Sequence, residues 1–483
     1  MKKKSSLISQ IPALLFVIIL GIVLFQCSET KKEKEPRFQR AEQIFTTVCS
    51  GCHGGQMQAF VDREWKFGNS KTELLNTIAN GIDTLGMPSF AAAYTEDELK
   101  ELVNYIRDGI NNVDQYKFQE VELKSDTFQS DGFSYHLDTV LTGGNSYWGM
   151  AFLPKGEMLV TEKSGTIYRV DEIGTSVEVT PKIAVQDKGQ GGLLDIEVHP
   201  DFSNNHWVYY SYSAIKEIEG KLLSTTAVDR AELDRNELKN VTRIFEALPY
   251  SHKKYHYGSR MEFDKDGYLF VSVGDRASRD VNPQSLANHC GKIHRIYDDG
   301  TIPQDNPFVN QDGAIASIYS YGHRNPQGMG LNPSSGYIWT HEHGPRGGDE
   351  LNVIQSKINY GWPVISYGIN YDGTVFTSLL EKEGLQQPMH YWVPSIAPCG
   401  MAFVNSDRYP GWKNQLLIGS LRFKYLNLCY IDGNKVLKEE RLMENIGRVR
   451  NVKVSPDGYI YIATEEKNIE GKASIYRLIP IKE

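Results

Sequence analysis

One pattern recurs along most of the chain: a tight turn with Gly or Asn, then a short apolar strand. It occurs at Lys155-Gly156 before Met158-Leu159-Val160, at Asp266-Gly267 before Tyr268-Leu269-Phe270-Val271, at Ser335-Gly336 before Tyr337-Ile338-Trp339, and at Asp457-Gly458 before Tyr459-Ile460-Tyr461-Ile462. Looser copies stand at Asn204-Asn205 before Trp207-Val208-Tyr209 and at Lys413-Asn414 before Leu416-Leu417-Ile418. A glycine turn between apolar strands signals a hairpin. A lone hairpin cannot bury its apolar face, whereas six stacked units can. The expected fold over 131–483 is therefore an all-β six-bladed β-propeller with long loop insertions. Thr166-Ile167-Tyr168-Arg169 also echoes Ser474-Ile475-Tyr476-Arg477 near the other end of this region.

The first part of the chain reads differently. Cys49-Ser50-Gly51-Cys52-His53 is C-x-x-C-H, the attachment signal for c-type haem. Two thiols at this spacing add to the two vinyl groups, and the adjacent His53 faces the iron. Zinc would need further ligands nearby, and no other Cys lies between Cys52 and Cys290. Met87, just before a helix, is the expected second axial ligand, which would raise the haem potential. Thr95-x-x-Glu98 reads as a capping box ahead of Leu99, Leu102, Val103 and Ile106, and Ala41, Ile44, Phe45 and Val48 give a similar apolar face. Residues 37–117 resemble a class I cytochrome c domain, a small all-α fold.

Before it, Lys2-Lys3-Lys4 and an apolar run to Phe25 read as a secretory signal over 1–27. Cys27 resembles the lipidated cysteine of bacterial lipoproteins; an uncleaved N-terminal anchor is the other reading. Residues 28–36 are charged and read as a tether, and 118–130 as a linker. The expectation is a protein exported to the periplasm or cell surface and held at the membrane. A net charge of −8 argues against nucleic acid as a partner. Hydrophobic residues at 40% and aromatics at 11% suffice for a large core and exclude a disordered chain.

The loops between the repeats are dense in Gly, His and Arg: Gly189-Gln190-Gly191-Gly192, Tyr255-His256-Tyr257-Gly258-Ser259-Arg260, Gly274-Asp275-Arg276, Gly322-His323-Arg324-Asn325-Pro326-Gln327-Gly328, His343-Gly344-Pro345-Arg346-Gly347-Gly348-Asp349-Glu350, and Asn359-Tyr360-Gly361-Trp362-Pro363. In this order they resemble the soluble glucose/sorbosone dehydrogenases, which use pyrroloquinoline quinone (PQQ). The resemblance implies that His256 is the catalytic base, oriented by Asp275, and that Gln190 lines the substrate side. It implies that Arg324 and Asn325 meet the quinone, and that Ser395, Arg422, Arg448 and Arg450 hold PQQ. Gly344 and Pro345 would offer carbonyls to an active-site calcium, and Glu350 and Tyr360 would serve a structural calcium. Guanidinium forks suit the carboxylates of PQQ, and calcium takes oxygen ligands. His343, also placed against the cofactor, stands for a family glutamine, Arg422 for a lysine and Tyr255 for an acidic residue.

The implied activity is oxidation of the anomeric hydroxyl of an aldose sugar to the lactone, by hydride transfer to PQQ. Electrons would pass to the fused haem and then to a downstream acceptor. Two rivals remain: a calcium-dependent lactonase-like hydrolase, and a sugar-binding lipoprotein on the same propeller.

Overall fold

The computed structural model describes residues 38–49, 67–68, 70–82, 87–111, 125–371, 374–465 and 472–481. They form two compact units, one made of 38–49 with 67–108 and the other running on from 109.

The first unit is helical among the described residues. Helix α1 (Gln39–Ile44) runs into a π-helical turn, Phe45–Cys49, followed by α2 (Lys71–Asn80) and α3 (Glu96–Asn111). The expected capping box forms: Glu98 N–H donates to Thr95 Oγ1 at 3.3 Å and Thr95 N–H returns to Glu98 Oε2 at 3.0 Å. Ser70 and Glu73 make a second at α2. Ala41, Ile44, Phe45, Leu99, Leu102, Val103 and Ile106 are buried together with Leu74 and Ile78. Val48, expected on the same face, is exposed instead. The wider π turn after Ile44 shifts the helical register and carries Val48 outward. Cys49 ends that turn, half-exposed. Met87 pairs with Ile82, Ile82 N–H donating to Met87 O at 2.8 Å. Cys52 and His53 lie outside the described residues, as does Cys27.

The second unit is a six-bladed propeller. Five blades are four-stranded antiparallel sheets made from consecutive strands. The innermost strands are Tyr147–Phe152, Leu193–Val198, Met261–Phe263, Pro326–Leu331, Pro398–Phe403 and Val449–Val454. Each neighbours the next, and the sixth neighbours the first, which closes the ring. The sixth blade is a composite. Val449–Val454, Ile460–Thr464 and Ala473–Ile481 are completed by Phe133–Gly144 and Thr127–Ser130 from the other end of the unit, with Leu137 opposite Leu478. Thr127–Ser130 thus lies inside the stretch expected as a linker, and the propeller begins before 131.

Every one of the six repeated signals precedes the second strand of a blade. Gly156, Gly267, Gly336 and Gly458 have φ of 96°, 84°, 72° and 87°, the left-handed region that these turns require. The second strands do not alternate as half-exposed strands would. Met158–Glu162, Leu269–Val273, Ile338–Glu342, Leu416–Ser420 and Ile460–Thr464 are buried at every position. A middle strand is covered by a neighbouring blade on each face, so neither side meets water.

This order of strands sorts the loops. In an up-and-down blade, the turns from strand one to two and from three to four share one rim. The turns from two to three, and from four to the next blade, share the other. The repeated Gly turns all belong to the first rim. The irregular His- and Arg-rich segments belong to the second.

Candidate active site

Gln190, His256, Arg324 with Asn325, Ser395 and Arg448 each stand a few residues before an innermost strand, and Asp275, His343 and Arg422 each follow a second strand. All therefore reach the same rim. The 354–389 connection adds to it by climbing the outer edge of the third blade. Tyr321 N–H donates to Ile358 O at 3.1 Å and Tyr360 N–H to Tyr321 O at 2.8 Å, which delivers Tyr360 and Trp362.

At the centre, His256 Nδ1 lies 2.7 Å from Asp275 Oδ1. Asp275 is almost wholly buried and fully hydrogen-bonded. Its Oδ1 also accepts from Ala277 N–H at 2.7 Å, and its Oδ2 from the indole N–H of Trp362 at 2.9 Å. His256 adopts φ 55°, a strained value for a residue with a side chain. Two contacts hold it there: its N–H donates to Gln190 Oε1 at 2.7 Å, and its ring is tied to Asp275. Gly274 permits the approach, since a Cβ at that position would stand 2.4 Å from His256 O.

The carboxylate can only accept, so Nδ1 carries the hydrogen and Nε2 is left as the basic nitrogen. Burial, and after it the Arg324 guanidinium, holds the His256 pKa below the ordinary histidine value. Burial pushes Asp275 upward, but its bonds to His256 and Trp362 and the charge of Arg324 outweigh this and keep it ionised. The pair at neutral pH is a neutral imidazole on a carboxylate.

Arg324 NH1 donates to two carbonyls, His343 O at 2.9 Å and Gly344 O at 2.6 Å. Gly344 N–H donates to Asp349 Oδ1 at 2.8 Å, while Asp349 Oδ2 accepts from Ser395 Oγ at 2.6 Å and Ala397 N–H at 2.9 Å. Burial pushes Asp349 up to about 6. His343 Nε2 sits 2.8 Å from Pro398 O; a carbonyl cannot donate, so this nitrogen carries the hydrogen. Burial holds His343 well below the ordinary histidine value, so it too is neutral.

The basic residues gather beside this centre. Arg450 pairs with Glu465, and Arg448 Nε is 3.9 Å from the same carboxylate. Arg448 NH1 donates to Leu421 O at 3.3 Å and Arg422 NH1 to Ser395 O at 3.4 Å. Burial pulls Arg422 down to about 10. Asn325 Nδ2 and Arg450 Nε are buried donors with no hydrogen-bond partner among the described residues. Such donors are costly unless something accepts from them.

Glu350 and Tyr360 are placed apart from these groups. The Tyr360 hydroxyl donates to Val353 O at 2.5 Å and accepts from Gln355 N–H at 3.0 Å, so its main-chain carbonyl is the oxygen left for a cation. Asn352 Nδ2 bridges Glu350 Oε2 at 3.2 Å and Glu342 Oε1 at 3.3 Å, and Asn352 Oδ1 is buried without a partner. Burial, then the charge of Glu342, pushes Glu350 well above the usual carboxylate range. Among the described residues, no three His, Cys, Asp or Glu side chains converge as a metal cluster.

Three site residues had no role assigned from sequence: Asp349, Trp362 and Glu465. The first two lie inside quoted motifs, so only their roles were missed. Glu465 belongs to no motif and shows itself only through its two arginines.

The family model described as Glucose / Sorbosone dehydrogenase matches residues 145–477. The chain belongs to that family. A second model, Cytochrome C oxidase, cbb3-type, subunit III, matches residues 36–106, and the first unit is a cytochrome c domain. The family member is 40% identical over 328 residues to the aldose sugar dehydrogenase YliI of Escherichia coli, covering 67% of this chain and 88% of the relative. The solved apo-form of the soluble aldose sugar dehydrogenase from Escherichia coli superposes with TM-score 0.68 at 37% identity, over 72% of this chain and 100% of that one. The PQQ-bound aldose sugar dehydrogenase of Streptomyces coelicolor gives TM-score 0.59 at 27% identity, over 72% and 98%.

Proposed function

We propose that this sugar dehydrogenase oxidises the anomeric hydroxyl of an aldose to the lactone, with PQQ as cofactor, and passes the electrons to its own haem. The observation that carries the reading is the His256–Asp275 pair at 2.7 Å: a neutral imidazole with its tautomer fixed and Nε2 basic. It is supported by relatives named as aldose sugar dehydrogenases, one of them PQQ-bound.

The residues present fit PQQ. Asn325 Nδ2 and Arg450 Nε are buried donors that need acceptors, and Arg422 is a half-buried guanidinium whose pKa desolvation pulls down. Arg324, Asn325, Arg422, Arg448 and Arg450 would hold a planar polyanion. Ser395 would act differently from the expectation, because its hydroxyl is already given to Asp349. Bound PQQ supplies a quinone that accepts a hydride. Calcium on the Gly344 and Pro345 carbonyls, as the resemblance implies, would have to share one of them, because Gly344 O already accepts from Arg324 NH1 at 2.6 Å. Glu350, the Tyr360 carbonyl and the orphaned Asn352 Oδ1 offer the oxygen chemistry of a second, structural calcium.

The chain's own groups then divide the work. His256 Nε2 takes the proton of the anomeric hydroxyl as the C–H bond breaks. Asp275 keeps that nitrogen basic and stabilises the imidazolium that forms. Arg324 places positive charge where negative charge develops. Gln190 fixes the main chain of the base. Cys49, Cys52, His53 and Met87 would hold haem c, a one-electron carrier. A lactonase would have no use for this many basic groups around one rim.

The test uses the full chain loaded with PQQ and calcium, with haem absorbance followed as sugars are added. Aldoses should reduce the haem and their 1-O-methyl glycosides should not. Equal reduction by both, or by neither, overturns the proposal. Export and anchoring through Cys27 belong to the same proposal. Mass spectrometry of the mature N-terminus should find a lipid on Cys27; an unmodified Cys27 behind an intact Met1 overturns lipidation.

A further inference from the structure

Lys292 opens the third strand of the third blade, Lys292–Ile296, and is completely buried. Its ammonium makes no ion pair with a carboxylate of the described residues. Nζ instead donates to three main-chain carbonyls: Cys290 O at 2.7 Å, Asn282 O at 2.9 Å and Pro283 O at 3.1 Å. Burying an ammonium is expensive, and a sequence needing only an apolar filler here would use Met or Leu. Burial pulls the Lys292 pKa down to about 7, yet donating to three carbonyls at once takes three N–H bonds, which the ammonium has and the neutral amine lacks.

All three carbonyls belong to the connection that starts with Gly274-Asp275. Asn282 is the link inward: its carbonyl is held by Lys292, while its side-chain Nδ2 donates to Asp275 O at 3.0 Å. The base of the connection is sealed by Gly291 N–H donating to Gly274 O at 3.0 Å. The cage also touches the next motif. Pro283 O accepts from Gly322 N–H at 3.1 Å, Gly291 O from His323 N–H at 3.1 Å, and Arg324 O from Asp275 N–H at 2.7 Å. The connection has little regular structure of its own; its local N–H bonds, such as Ser278 N–H to Asp275 O at 3.1 Å and Ser285 N–H to Asn282 O at 3.2 Å, span three residues each, whereas the ammonium ties Asn282 and Pro283 to Cys290 at the far end.

We infer that Lys292 is a positioning residue for the dehydrogenase reaction, a tethered internal cation that gathers the 275–291 connection and so fixes Asp275 against His256. This rests on the proposed function for its activity arm only.

The test reads the His256 tautomer directly, without turnover, by histidine-15N NMR of the full chain; the His256 signal is the one missing from His256→Asn. In the parent, His256 should be protonated at Nδ1 alone. Lys292→Met should give mixed tautomers, and lower kcat about tenfold while KM for the sugar stays near the parent's, the scale of one hydrogen bond to a charged group. Lys292→Ala should behave likewise, and ammonium ions, which fit the three-carbonyl cage, should restore the single tautomer. A folded Lys292→Met with the parent's tautomer overturns the inference, as does Lys292→Ala that ammonium leaves unrestored. Should neither variant fold, Asn282→Ala cuts the side-chain link to Asp275 while leaving the carbonyl for Lys292; the parent's tautomer there overturns the inference too. A parent that oxidises no sugar defeats the proposed function, while the tautomer still decides the role of Lys292.

Discussion

The indole N–H of Trp362 donates to Oδ2 of Asp275, 87 residues earlier in the chain, at 2.9 Å. A connection of the fourth blade therefore orients a carboxylate of the third. With Trp362 on one oxygen and His256 on the other, Asp275 cannot rotate without breaking a bond. Trp362→Phe keeps the ring and deletes that one bond. We expect kcat to fall about tenfold to a hundredfold, the scale of a hydrogen bond to a charged group, with PQQ affinity unchanged. Stopped-flow haem reduction measures it, and a parent-like rate would make the indole contact incidental.

Burial and the charge of Arg324 hold both His256 and His343 below the ordinary histidine value, but of the two only His256 has its ring bonded to a carboxylate among the described residues. His256→Asn should leave PQQ and haem bound and lower sugar-dependent haem reduction by about 10² to 10⁴, the usual worth of general acid–base catalysis. His343→Gln should alter preference among sugars and keep turnover within about tenfold, because its Nε2 is spent on Pro398 O. The reverse pattern would assign the base to His343.

The pH profile follows from the burial of His256. A base must be deprotonated to act, and a pKa below the ordinary histidine value means that it stays deprotonated to lower pH. The acid limb of kcat/KM should therefore lie below about 6.5, the unperturbed value. Asp275→Asn removes the partner that favours the imidazolium, so any residual activity should have its acid limb at still lower pH. A limb above 6.5 in the parent would mean that Asp275 outweighs burial and Arg324.

Arg448 is a third exposed and shares Glu465 with Arg450, so its loss should be moderate. Arg448→Ala is expected to weaken PQQ binding by about one to two decades, the worth of a hydrogen bond to a charged group. Fluorescence titration of the apo-protein reads this, and an affinity within threefold of the parent (about 0.65 kcal/mol) would move the cofactor elsewhere.

Met87→Ala should abolish the weak sulfur-to-iron absorbance band of the oxidised haem while the protein keeps its covalent haem. An unchanged spectrum would hand the axial position to another residue.

How much of this was legible beforehand follows from the range of the interactions. The six turns were visible because Gly or Asn just before a short apolar strand is a local rule, readable from a few adjacent residues. The rim residues were visible through the resemblance, motif by motif. Val48 was misplaced because nothing local announces the π turn. Lys292 looks like any charged residue at a strand start, and its meaning depends on three carbonyls supplied by a loop. Glu465, Asp349 and the role of Trp362 were hidden for the same reason: no periodicity marks a pairing of 15 residues with Arg450, 46 with Ser395 or 87 with Asp275. Ser395 shows the converse, a residue expected on the cofactor whose hydroxyl is already taken by Asp349.

The composite sixth blade also sets a timetable. Strand Phe133–Gly144 is made before any complete blade, yet its partner Ala473–Ile481 is made after all the others. During synthesis the early strand must wait through five blades with that flank unmatched, open to pairing with a neighbouring nascent chain. The innermost strands can become a closed circle only when this last pairing forms, so His256, Asp275 and the arginines should meet in their final geometry late and together. A ribosome that stalls, or a protease that cuts before 473, would leave a chain with a finished haem domain and no working sugar site.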